Sequence, residues 1–301
     1  MKQGGVAPLL VLGVGVVAIS WAAVLVRQAE APALVIAAYR MTLAALPVGA
    51  LAAWQHRRAP EPMPAATAGP ILLSAVFLAA HFGFWMTSLQ HTSVVVSVVL
   101  VAAQPLYVAL ASPLLLRERI ERRIWFALLV AMAGVILMVA EDVGEGAGTV
   151  AGDAYAVLGG ICTAGYVIAG RRVRPHVSWL RYVGTMYPAT AVMLLIAALA
   201  AGDPLTGYST RTLVMMGMLA LGPQLVGHSA INYSLAYLSA VLVAMGYLLE
   251  PVGATALAAL ILDEWPSALE VAGSVLVLAG VYLAIRPRPD ERTVIEVPAI
   301  D

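Results

Sequence analysis

A chain of 301 residues that is 61 % hydrophobic and 11 % charged, with a mean hydropathy of +0.90, is composed for lipid, since soluble domains are about a quarter charged. Its zero net charge offers no basic surface for nucleic acid. Its single cysteine, Cys162, excludes an internal disulfide and a cysteine-based metal site.

Apolar runs of about 17–25 residues are the unit that crosses a bilayer. The first, 8–26, follows Lys2 with no convincing cleavage site, so it reads as a retained span and not as a removed signal. Nine more follow at 33–53, 69–89, 92–115, 123–140, 153–170, 181–200, 211–234, 239–262 and 267–285. Charged Pro- and Gly-rich turns separate them, among them APEPMP at 59–64, EDVGEG at 141–146 and AGDP at 201–204. Long apolar runs without polar alternation predict an all-α membrane protein of ten transmembrane helices, not a barrel.

Lysine and arginine set the orientation. With the N-terminus inside, 14 of the 17 basic residues fall in cytoplasmic segments, including Arg117, Arg119, Arg122 and Arg123 in one and Arg171, Arg172, Arg174 and Arg181 in another. The acidic 141–153 link then faces out, and both termini are cytoplasmic. Trp54, Trp125, Trp179 and Trp265 fall at span ends as interface anchors.

The sequence repeats itself at an offset of 146. Ser88-Leu89 recurs as Ser234-Leu235, Ser93 as Ser239, Pro105 as Pro251, Glu118 as Glu264 and Gly134 as Gly280. Each copy holds five spans, an odd number, so the second copy must be inserted upside down. The prediction is two inverted-topology five-helix repeats, 1–140 and 153–285, followed by a cytoplasmic tail at 286–301, an arrangement that serves alternating access in secondary transporters.

Three stretches carry a family resemblance: LLLRERIERRIWFALLVAMAGVILMV, LILDEWPSALEVAGSVLVLAGVYLAI and, with Arg40, AYRMTLAALP. The first two resemble the end of an EamA unit, and the third resembles its second span. The ten-span chain is similar to the drug/metabolite transporter superfamily, EamA type, and most nearly to amino-acid exporters of the YddG kind. The resemblance implies a multi-pass protein of the cell (inner) membrane that exports a small solute, and no cofactor or metal is expected; because one chain holds both halves of the repeat, a monomer is expected to suffice. It also implies that spans one, three, four, six, eight and nine surround a central cavity. The second copy has no arginine at the position matching Arg40, near Thr185 and Met186, so a symmetric role is not implied.

Polar side chains inside spans are costly and point to function. His81, Gln104, Gln224 and Glu250 fall near the bilayer midplane on four spans. Gln104 and Glu250 each precede a matched helix breaker, Pro105 and Pro251, which serve as candidate hinges. Two readings of these pairs stand: the side chains satisfy the helix beside each kink, or the kinks open on a watered cavity that the side chains line. A carboxyl group there makes Glu250 the candidate for proton coupling.

His81, Trp85 and Ser88 share one helical face, and Gln224, His228 and Asn232 recur every four residues on another. Such stripes face protein or water, through helix–helix hydrogen bonds or a cavity wall. His81 and His228 lack the paired His/carboxylate spacing of a metal site. Trp21, Trp85, Tyr107, Tyr166 and Tyr247 lie mid-span, as core packing or as cavity wall for an amphipathic solute. Arg40 has three possible roles: pairing with a carboxylate, snorkelling outward, or meeting an anionic group on the substrate. Glu118 and Glu264 close spans and are expected to fix the link that follows each.

No Walker-type phosphate loop is present, which argues against direct drive by ATP. An intramembrane enzyme would need a reactive constellation, and neither H-E-x-x-H nor G-x-S-x-G occurs. Lone Arg40 also argues against a phosphorylated substrate. The leading expectation is therefore a secondary transporter that exports zwitterionic metabolites, with apolar or aromatic amino acids first and with proton coupling left open. An uncoupled facilitator and an exporter of other metabolites or drugs remain as alternatives.

Overall fold

The computed structural model describes residues 6–60, 64–92, 94–138, 140, 149–262 and 265–286. Ser93, Glu264, Lys2, the acidic 141–148 link and the tail beyond Arg286 lie outside the described residues. The described chain is helical in α1 (Val6–Gln28), α2 (Ala33–Arg58), α3 (Ala65–His91), α4 (Val94–Ala102, then Gln104–Leu115) and α5 (Arg122–Met138). It continues in α6 (Val150–Val173), α7 (Trp179–Ala200), α8 (Thr210–Ser234), α9 (Ala240–Gly246, then Leu249–Leu262) and α10 (Ala268–Ile285).

Eight of these are long and apolar enough to cross a membrane; in α4 the apolar helix is the shorter Val99–Leu115, and α5 has 17 residues. Several helices outrun their apolar segments. α2 continues through Gln55, His56, Arg57 and Arg58, and α6 starts three residues early at Val150. Hydroxyl caps account for some starts: Thr149 accepts from Gly152 N–H, Ser209 from Thr212 N–H, and Ser267 forms a capping box with Glu270.

Lipid gives helices no hydrophobic reason to associate, so close approach depends on small residues. α3 lies along α6, α2 along α7, α1 along α8 and α5 along α10. On α1 and α8, a side chain at Gly15 would strike Ala230 at 2.8 Å, and one at Gly227 would strike Ile19. On α5 and α10, a side chain at Gly134 would lie 2.6 Å from the Gly273 carbonyl oxygen. Outward faces stay apolar, as with Leu114, Phe126 and Leu260.

Both predicted breakers interrupt their helices, two to four residues ahead of the proline. α4 pauses at Ala103 before Pro105, and α9 pauses at Tyr247 and Leu248 before Pro251. A proline nitrogen cannot donate to the carbonyl four residues back. Tighter bonds replace the missing ones: Leu106 N–H donates to Ala103, and Glu250 N–H to Tyr247. The sequence does not announce the third irregularity. α8 winds as a π-helix from Ala220 to His228, around Pro223, so that Ser229 N–H donates to Gln224.

Polar bonds collect at the end of the bundle where the connections after α4, α6 and α8 meet, here called the basic end. Arg171 Nε donates to Glu118 Oε1 at 2.7 Å, and Arg171 Nη1 donates to the Leu235 carbonyl at 2.9 Å. The other oxygen of Glu118 accepts from Ala240 N–H, the start of α9. Arg174 donates to the carbonyls of Asn232 and Val177. Glu118 therefore joins α4 to α6 and α9 and does not brace its own following link. Trp179 also departs from its expected role as an interface anchor, since its indole N–H donates to the Ser229 carbonyl at 2.9 Å. Trp54 and Trp265 remain exposed.

Candidate functional site

The kinks of α4 and α9 face a cavity of about 50 Å³ between α1, α2, α3, α4, α6, α8 and α9. That volume holds a few water molecules and is well below the several hundred Å³ of pockets that enclose a drug-sized ligand. Eight of the residues singled out in the sequence line it. Arg40, His81, Trp85 and Gln104 come from the first copy, and His228, Tyr247, Glu250 and Pro251 from the second.

Arg40 is 1 % exposed. Its Nε donates to Gln224 Oε1 at 2.9 Å, and its guanidinium carbon sits 4.2 Å from the centre of the Phe82 ring. The π-turn of α8 brings Gln224 to this position. A continuous α-helical stripe would have put Gln224, His228 and Asn232 on one partner. Instead Gln224 meets α2, and His228 faces the cavity. Asn232 Oδ1 accepts from Tyr166 at 2.6 Å, while its Nδ2 donates to Tyr187 at 3.4 Å.

His81 is fixed from α6. Its Nδ1 lies 3.1 Å from the Gly159 carbonyl oxygen and 2.5 Å from Thr163 Oγ1. A carbonyl can only accept, so a bond to Gly159 needs the proton on Nδ1, whereas the Thr163 hydroxyl can donate or accept. The imidazole stacks on Trp85, with ring centres 5.9 Å apart and planes at 3°. Trp85 can lie here because α6 carries Gly159, where a side chain would meet the Trp85 backbone nitrogen at 3.3 Å. The His228 ring has Phe82, Tyr166 and Tyr247 around it, at 5.3, 6.0 and 6.2 Å.

Burial of polar atoms normally comes with a partner. Around this cavity five have no partner among the described residues: Arg40 Nη1, Gln104 Oε1, Gln224 Nε2, His228 Nδ1 and the Tyr247 hydroxyl. Arg40 and Glu250 both line the cavity, and no ion pair joins them among the described residues.

The remaining residues fall nearby or elsewhere. Tyr166, Gln224 and Asn232 are buried beside the cavity and act through its wall. Pro105 is buried beneath Gln104. Trp21 and Tyr107 are half-buried against the apolar core and do not line the cavity. Ser88 turns away to Ser97, at 2.5 Å. Sequence reasoning passed over Phe82, Thr163, Tyr187 and Ser229. Phe82 and Thr163 have no spacing that marks them, whereas Tyr187 could have been found as a mid-span polar tip. No group of three or more His, Cys, Asp and Glu residues that could hold a metal occurs among the described residues.

Apolar outer faces around an internal polar cavity define a multi-pass membrane protein. The sequence model of the EamA-like transporter family matches residues 6–140 and 150–286. The chain belongs to that family, as a transporter embedded in a lipid bilayer with a small-molecule substrate. A solved crystal structure shares the fold with a TM-score of 0.77 at 18 % identity, over 93 % of this chain and 97 % of that one. No curated protein matches the sequence.

Proposed function

We propose that this protein is a secondary transporter that exports small amphipathic, zwitterionic metabolites by alternating access through the central cavity, with apolar and aromatic amino acids as first candidates. The carrying observation is that a buried cation, Arg40, and a carboxylate, Glu250, line one cavity without forming an ion pair among the described residues. A zwitterion brings the complementary charges, and Phe82, Trp85 and Tyr247 offer rings for its side chain.

Counting α4 and α5 as spans gives five per copy, the second inverted. The packing scheme supports this reading. Exchanging the copies turns the α3–α6 pair into α8–α1 and leaves the α2–α7, α4–α9 and α5–α10 pairs unchanged, and all of these contacts exist. A carrier of this kind opens its cavity to each side in turn around a midplane site. At about 50 Å³ the cavity is contracted, and substrate entry requires its walls to part at the matched kinks before Pro105 and Pro251. Glu250 is the coupling group in this proposal, releasing or taking a proton as the cavity changes sides. The protein belongs in the inner cell membrane with both termini cytoplasmic, acting as a monomer.

The test is uptake of a labelled amino-acid panel by liposomes containing the purified protein, with and without a proton gradient. Gradient-responsive uptake of apolar or aromatic amino acids supports the reading. Gradient-independent uptake makes the protein a facilitator, and no amino-acid uptake moves the substrate to other metabolites or drugs.

A further inference from the structure

We propose that Arg40, held by Gln224 and Phe82, is a preformed binding site for the carboxylate of the substrate and selects solutes that carry one. The inference rests on the zwitterion reading above and assigns one end of that solute to named atoms.

The sequence left Arg40 three roles, and the structure removes two. A snorkelling side chain would reach the interface, yet Arg40 is 1 % exposed. A structural ion pair would bring a carboxylate within reach, and none does among the described residues. The guanidinium is held instead by neutral groups: the Gln224 amide oxygen at 2.9 Å and the Phe82 face at 4.2 Å. These fix its position without cancelling its charge. Glu250 stands on the same cavity wall but makes no contact ion pair with Arg40 among the described residues, and a buried charge without a contact partner is expensive.

The unused donors show what completes it. Nη1 of Arg40 and Nε2 of Gln224 are both buried and both without a partner. Arg40 lines the cavity and can donate from Nη1 to an acceptor there, while Gln224 lies behind the wall and holds the guanidinium in place. A carboxylate supplies that acceptor and a negative charge. The Gln224–Arg40 bond depends on the π-turn of α8, so this irregularity sets the geometry of the site. An acceptor without a partner, Gln104 Oε1, lies on α4, and Glu250 brings a carboxylate to the wall from α9. The wall thereby offers a donor to a carboxylate at Arg40 and acceptors to an ammonium group at Gln104 and Glu250.

The test compares three ligands of one shape on the purified full-length protein: phenylalanine, phenethylamine, which lacks the carboxylate, and 3-phenylpropionate, which lacks the ammonium. Binding is read by thermal shift and by change in Trp85 fluorescence, for the wild type and Arg40→Gln. Loss of a charge-assisted contact at a buried site costs about 10- to 100-fold in affinity. The expected result is that phenethylamine binds at least about 10-fold more weakly than phenylalanine to the wild type, and that the variant loses this difference. Equal binding of phenethylamine and phenylalanine to the wild type, or undiminished carboxylate binding to Arg40→Gln, overturns the proposal. Should the variant fail to fold, the wild-type comparison decides alone. Arg40-dependent binding of phenylpropionate with no transport of phenylalanine keeps the anion site and removes the amino-acid reading. Binding of none of the three overturns the anion site, while uptake of a different solute would leave the transporter standing.

Discussion

Glu118 and Arg171 meet at 2.7 Å, and through that contact the ends of α4, α6 and α9 are tied together at the basic end of the bundle. Both side chains are mostly buried, at 20 % and 14 % exposure, so water competes weakly for the bond. Opening the cavity toward this end must separate the same helices. Glu118→Gln keeps a hydrogen-bonding group but removes the charge, which weakens the closed arrangement by about 1–2 kcal/mol. The expected outcome is greater labelling of a cysteine introduced at Ala102 by a reagent supplied from the basic end. Unchanged labelling would mean that this contact does not hold the bundle shut.

Among the described residues, Glu250 is the one acidic side chain that lines the cavity. Glu250→Gln preserves its size and removes its ability to exchange a proton. We expect the variant to lose gradient-driven accumulation while exchanging substrate at equal concentrations across the membrane. Retention of the full response to a proton gradient would remove Glu250 from the coupling role.

Trp85 and His228 test the wall. Trp85→Ala leaves His81 without its stacked neighbour and widens the cavity, and His228→Ala removes a ring that contacts Phe82, Tyr166 and Tyr247. Each should weaken half-saturation for an aromatic substrate by about 10-fold, equivalent to about 1.4 kcal/mol. The folded protein should still be recovered from the membrane. Unchanged transport kinetics in both variants would place the substrate elsewhere.

Packing gives a stability prediction with an internal control. An alanine side chain at Gly134 would lie 2.6 Å from the Gly273 carbonyl oxygen, whereas nothing lies within 4 Å of one at Gly13. Gly134→Ala should cost about 1–3 kcal/mol by forcing α5 away from α10. Gly13→Ala should be neutral or stabilising by up to about 1 kcal/mol. Thermal unfolding of the two variants in detergent decides, and equal melting temperatures would contradict the backbone contact.

The helices and both proline breaks were legible because the physics that marks them is local. Apolar length, charged turns and a missing N–H are all visible in a few consecutive residues. The gathering of Arg40, His81, Gln104, His228, Tyr247 and Glu250 was legible in part, because polar residues at similar depth on different spans have few places to go but inward. Other features depend on what faces a residue across the bundle. Trp21 and Tyr107 lie at suitable depth yet turn to the core, and nothing in their own sequence says so. Phe82 earns its place by lying under a guanidinium supplied by α2. The π-turn escaped notice because Pro223 alone predicts a kink without its form, and Gln224 finds Arg40 only through that form.

The glycine contact between α5 and α10 has a mechanical corollary. These helices lie backbone against backbone at Gly134 and Gly273, and much of their outer surface faces away from the rest of the protein. Movement between them would have to break contacts packed too closely to slide. They are therefore best regarded as a single stiff strut, one helix from each copy.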